Sequence, residues 1–207
     1  MILTGTTANA AKCKFQDGSY NALTKVRTVQ TKWEKLISGL GKSPEGPHEV
    51  QAAAVSAKLE GSNSYLAIRI SLEDYSRREP PPYQLEDAIA IPESSQLLIL
   101  MDDGAILRLT AKDEHSFDAT FVPPGTASST RFRKTDMNDY VKTTEAFISY
   151  VLDENTAAAL RAQDATNMRV EAGDTYYDID LQKKSRGDVA AAIECLQSAH
   201  AEDGATK

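Results

Sequence analysis

The chain has 207 residues, 41% of them hydrophobic and 26% charged, with 23 basic against 30 acidic side chains and a net charge of −7. Length and apolar content suffice for a buried core in one domain, which excludes collagen-like, coiled-coil and fully disordered classes. The acidic balance excludes a nucleic-acid coat, and no apolar run is long enough for a transmembrane helix.

The chain opens MILTGTTANA. Ala8-Asn9-Ala10 is a small-x-small triplet of the kind signal peptidase cleaves after, and Met1–Leu3 would be the stump of an apolar region. A basic leader region and a long apolar stretch are missing. Residues 1–10 therefore read either as a signal-peptide remnant, with a mature start at Ala11, or as a disordered polar tail. Residues 11–200 read as one domain, and 201–207 as a frayed tail.

Residues 17–40 are ambiguous. Leu23, Val26, Val29 or Gln30, Trp33, Ile37 and Leu40 fit a helical stripe. Lys25–Lys35 also alternates and is rich in β-branched residues, which favours a strand. Gly39–His48, with its glycines and prolines, predicts a loop. Ala53–Leu59 and Tyr65–Leu72 predict a hairpin around Glu60–Ser64, with Leu66, Ile68, Ile70 and Leu72 on one face. Three prolines at Pro80–Pro82 make Arg77–Tyr83 a polyproline-like link and a possible subdomain boundary.

Leu97–Met101 and Ile106–Ala111 flank Asp102-Asp103-Gly104, a strong hairpin signal. The unbroken apolar run Leu97–Met101 predicts a strand covered on both faces. His115–Val122 reads as a strand, Pro123–Thr130 as a loop and Glu145–Leu152 as a strand. Asp153 is placed to cap a helix from Glu154 to Gln163. Met168–Ala172 and Thr175–Leu181 predict a hairpin around Gly173-Asp174. Its second arm turns Tyr177, Ile179 and Leu181 one way and Tyr176, Asp178 and Asp180 the other. Ser185 marks the start of a last helix, with Asp188 in a capping-box role and Val189, Ile193 and Leu196 as its apolar stripe. The expected fold is α+β, with β-rich antiparallel sheets built from consecutive hairpins and two helices in the C-terminal part, or a sandwich with helices at one end.

Only two cysteines are present, Cys13 near one end and Cys195 near the other. Their even number and the tendency of termini to lie together make them a disulfide candidate pair. The alternative is two unrelated thiols, with Cys195 a small apolar residue on its helix. There is no CxxC or HxxxH, so neither a metal site nor a cofactor is expected.

No nucleophile elbow, phosphate-binding loop, dinucleotide fingerprint or zincin motif occurs. His48, His115 and His200 all lie in polar or terminal contexts that suit solvated side chains. Asp102 and Asp103 are explained by their turn. Asp178 and Asp180 share a strand face about 7 Å apart, a separation that a carboxylate-dependent hydrolase could use. A solvated strand face explains them equally. Arg131, Arg133 and Lys134, with Arg77 and Arg78, form a possible anion or partner patch. The tyrosines Tyr65, Tyr75, Tyr83, Tyr140, Tyr150, Tyr176 and Tyr177 suit either an interface or strands.

A set of local features adds a resemblance. Cys13 is followed by Lys32-Trp33, by Lys42-Ser43-Pro44 and by the strand Leu66-Ala67-Ile68-Arg69. Phe147–Leu152 then leads into a helix, and Ala192–Cys195 carries the second cysteine. In this outline the chain resembles Gram-negative exported proteins, including periplasmic proteins accessory to type VI secretion. It departs from them in lacking a cysteine after Arg69 and an aromatic residue after Cys195. The resemblance implies export and a non-catalytic role.

The expectation is a monomeric, periplasmic or secreted, non-enzymatic protein that binds another protein or an envelope component. A carboxylate-dependent hydrolase and a cytosolic acidic inhibitor or immunity-like protein are the alternatives.

Overall fold

A computed structural model describes residues 13–23, 26–42, 49–76, 90–91, 95–112, 115–116, 118–122 and 140–204. Four of the expected features fall outside them: the N-terminal triplet, the polyproline-like link, the Pro123–Thr130 loop and the whole basic patch of Arg77, Arg78, Arg131, Arg133 and Lys134.

The described residues form two facing antiparallel sheets and two helices. The large sheet contains β1 (Phe15–Asn21), β2 (Val26–Thr31), β3 (Glu34–Lys42), β4 (Glu49–Glu60), β5 (Asn63–Ser76), β10 (Asp118–Val122) and β11 (Tyr140–Val151). Their order is β1-β2-β4-β5-β11-β10, with β3 also on β4. The small sheet contains β7 (Gln96–Met101), β8 (Ile106–Thr110), β12 (Ala165–Ala172) and β13 (Thr175–Asp180), in the order β13-β12-β7-β8. A short pair, β6 (Ala90–Ile91) and β9 (His115–Ser116), stands apart. Helix α1 (Glu154–Ala162) follows β11, and α2 (Asp188–Gly204) closes the described chain. The α+β class holds.

The expected hairpins form, the one between β4 and β5 with a tighter turn. Glu60 pairs with Asn63, leaving Gly61 and Ser62 as the turn, and Gly61 takes φ +62°. A side chain at that left-handed position would be strained. Gly173 does the same, at φ +60°, between β12 and β13.

Alternation builds the core. Ala53, Val55, Leu66, Ile68, Ile70, Ala146, Ile148 and Tyr150 from the large sheet meet Leu97, Ile99, Met168, Val170, Tyr177 and Ile179 from the small one. Each fully buried Ile or Leu contributes roughly 2 kcal/mol relative to exposure. Helix α2 covers the rest of the same face, setting Ala192 and Leu196 against Val29, Ala57 and Leu59. The Cys13–Cys195 disulfide forms, tying the strand side of the N-terminus to α2 with a Cα–Cα distance of 5.3 Å.

Several expectations are corrected. Lys25–Lys35 is not one strand but β2 and the start of β3, and the helical stripe does not form. Residues Gly39–Lys42 belong to β3 rather than to a loop. Leu97–Met101 is covered on one face only: Leu100 is 39% exposed, because an antiparallel sheet keeps one face toward water. His115–Val122 divides between β9 and β10, which pair with different strands. Ser185 lies in a 3-10 turn, Lys183–Ser185, and α2 begins at Asp188. The helix ends at Gly204.

Candidate functional site

Strand β4 is flanked along one side by β2 and then β3. Gln30 pairs with Lys58, and Glu34 pairs with Val55. Thr31, Lys32 and Trp33 therefore stand opposite only Ser56 and Ala57. This is a β-bulge, and its one extra residue reverses the alternation from there to Lys35, after which the register shifts again. Unbroken alternation would put Trp33 on the core face with Val29 and Thr31. The bulge puts it on the outer face.

The bulge leaves ladder groups unpaired, and side chains complete them. The Ala57 N–H donates to Thr31 Oγ1 at 2.9 Å, and Ser56 Oγ donates to the Thr31 carbonyl at 2.9 Å. Thr31 and Ser56 are both buried. Buried polar groups persist where they are satisfied in this way.

On the outer face the register places Lys35, Ala54, Arg69 and Phe147 in one row across β3, β4, β5 and β11. Ala52, Ser71 and Glu145 form the next row. Trp33 reaches over the short side chains to meet Phe147 edge to face, with ring centroids 5.9 Å apart. The Arg69 guanidinium lies 5.3 Å from the Phe147 ring centre and donates to Glu145 at 2.6 Å. Phe147 is still 49% exposed. Between these walls is a cleft of about 310 Å³, bounded by Trp33, Lys35, Arg69 and Glu145 and floored by Ala52, Ala54 and Ser71.

The same face continues toward the β4–β5 turn. Lys112 lies 4.8 Å from the Tyr65 ring centre and 2.8 Å from the Glu60 carboxylate. The Lys112 hydrogen bond is the main reason the Glu60 carboxyl titrates below its ordinary 4.5.

A larger groove of about 920 Å³ opens at the end of the sandwich, between the β4–β5 turn, the start of α1 and α2. Leu152, Ala157, Ile193 and Leu196 line it, with Asn63, Asp153 and Gln197 at its edge. Of the two acids that line it, Asp153 is engaged: it accepts from the Thr156 N–H at 2.9 Å and the Thr156 hydroxyl at 2.6 Å, capping α1 as expected. These bonds, led by the hydroxyl, hold its pKa below the ordinary 3.8.

Asp178 and Asp180 do share the outer face of β13, but they do not converge on a cavity. Arg169 forks onto Asp178 with bonds of 2.6 and 2.9 Å and stacks 3.8 Å from the Tyr176 ring centre. Asn167 bonds Asp180 across the strands. Neither carboxylate lines either cavity described above. The solvated-face reading fits this geometry. Asp103 accepts from the Ala105 N–H and so serves its turn.

The tyrosines do not make one surface. Tyr65, Tyr150 and Tyr177 are buried, while Tyr176 carries Arg169. Tyr83 and His48 lie outside the described residues. His115 sits on β9 and His200 on α2, far apart in the chain order and in different elements. Among the described residues no group of three or more metal-ligating side chains forms, and no helix is long and apolar enough to cross a membrane.

Sequence patterning does not reveal the outer-face cluster. Trp33, Arg69 and Phe147 are each conspicuous in the sequence, but the bulge that groups them is not. The available signal is alanine at positions 52 and 54 of a strand, where β-branched residues are the norm. Compared with known proteins, the chain matches no family model, no curated protein and no solved structure.

Proposed function

We propose that this chain is an exported, non-enzymatic binding protein, and that the outer face of its large sheet contacts another protein or an envelope component. The observation that carries the reading is the Trp33–Phe147–Arg69 cluster. A purely solvated strand face has no use for a half-exposed phenylalanine packed by a tryptophan and an arginine. Exposed aromatic and arginine side chains held rigidly by neighbours are the residues that dominate recognition surfaces. The Cys13–Cys195 disulfide supports a periplasmic or secreted location over the cytosol, where thiols are kept reduced.

The test is a titration of the oxidised protein against detergent-solubilised Gram-negative envelope, alongside Phe147→Asp, an exposed substitution that leaves the core intact. Saturable binding that weakens at least ~10-fold in the variant supports the reading. Equal binding by both proteins, or none by either, overturns it. Thiol mapping of the protein purified from its source without reductant checks the location: two free thiols would move it to the cytosol and favour the acidic-inhibitor alternative.

A further inference from the structure

The cleft beside Trp33 has a construction that a general protein contact does not require. Its floor is Ala52, Ala54 and Ser71, among the shortest side chains that could occupy those outward positions. Alanine is disfavoured in strands, so a flat recess here works against local propensity. One wall is Trp33, carried to this face only by the extra residue of the bulge. Bulges commonly re-aim a side chain beside a functional site. The opposite wall is the Arg69–Glu145 pair, closed at 2.6 Å. The volume, about 310 Å³, is at the low end of the roughly 300–1,000 Å³ typical of small-molecule sites.

These elements specify the chemistry of an occupant. An indole wall favours a ligand with a flat apolar face. Arg69 offers several N–H donors and Glu145 offers acceptor oxygens, side by side along one edge. Arg69 and Glu145 offset each other's charge, and the Lys35 side chain also borders the cleft; an edge that mixes donors with acceptors suits hydroxyl groups, which both donate and accept. A sugar ring, with an apolar C–H face and a rim of hydroxyl groups, satisfies these conditions. We infer that this cleft binds a single sugar ring of a saccharide, with its C–H face against Trp33 and its hydroxyls bonded by Arg69 and Glu145. This inference rests on the proposed binding role and names the envelope component as glycan.

Trp33 is the only tryptophan in the chain, so its fluorescence reports on the cleft directly. The experiment titrates the oxidised protein with chitotriose and with maltotriose, and separately with inorganic phosphate. Ala54→Leu fills the floor without touching the core face, and its circular dichroism verifies folding. A saturable change in Trp33 emission with either saccharide, weakened at least ~10-fold in the folded Ala54→Leu variant, supports the inference. An equal response in the variant, or a response to phosphate alone, overturns it. Silence with both saccharides, while solubilised envelope still binds in a Phe147-dependent way, overturns the saccharide assignment and leaves the binding role standing. Silence together with failure of the envelope titration removes both.

Discussion

The rings of Trp33 and Phe147 meet edge to face with centroids 5.9 Å apart, although β4 and β5 lie between β3, which Trp33 immediately precedes, and β11, which carries Phe147. That contact is possible because Ala54 and the bulge leave a low path between them. The place of Trp33 on the outer face depends on the extra residue at Thr31–Trp33.

The bulge is held by Thr31. Replacing it with valine keeps the shape but removes the acceptor of the Ala57 N–H, a buried donor. Leaving such a donor unmade costs about 1–3 kcal/mol. Thr31→Val should lower the urea midpoint accordingly, with an unchanged slope. A midpoint equal to wild type would mean that the side-chain bonds do not hold the bulge.

The disulfide spans 182 residues of sequence. On the chain-entropy account, closing a loop of that size contributes about 5 kcal/mol, an upper value. Since whole domains are stable by only about 5–15 kcal/mol, reduction should bring the fold close to its margin. Thermal unfolding with and without reductant measures this. Unchanged melting would show that the packing of α2 alone secures the C-terminal end.

Asp153 caps α1, and its loss to alanine should cost about 1 kcal/mol. Its carboxyl is held below the ordinary 3.8 by Thr156. The folded state therefore favours the ionised form. The capping contribution is complete above about pH 3.8 and disappears as pH falls through the lowered folded value. Melting curves of wild type and Asp153→Ala should differ at neutral pH and converge in acid. A gap that persists unchanged in strong acid would contradict a carboxylate cap.

Burial acts in the opposite direction on two tyrosines. It pushes the Tyr177 hydroxyl up to about 12 and that of Tyr150 higher still, helped by the nearby Glu171. Both groups ionise near 10 when exposed by unfolding, so stability should fall as pH rises above that value. The Tyr150 hydroxyl is buried with no hydrogen-bond partner among the described residues. Tyr150→Phe should cost nothing at neutral pH and should flatten the alkaline decline. A clear loss of stability at neutral pH would reveal a bond to that hydroxyl.

Local chemistry makes much of this fold legible from the sequence. The turns at Gly61, Gly104 and Gly173, the cap at Asp153 and the inward face of Tyr177 and Ile179 all follow from neighbours within a few residues. The pairing of the two cysteines is legible too, since there are only two and they lie near opposite ends. Register is not. Whether Trp33 faces the core or the solvent depends on the partner of each β2 and β3 residue along β4, and the sequence near Trp33 fits a helix, a strand or a bulge. The fate of Asp178 likewise depends on Arg169 arriving across the hairpin to take up its charge. The chain alone determines which segments turn, cap and alternate, because those preferences act over a few bonds. Only the tertiary structure decided which side chains share a face, because strand pairing counts residues across the sheet and one extra residue reverses every position beyond it.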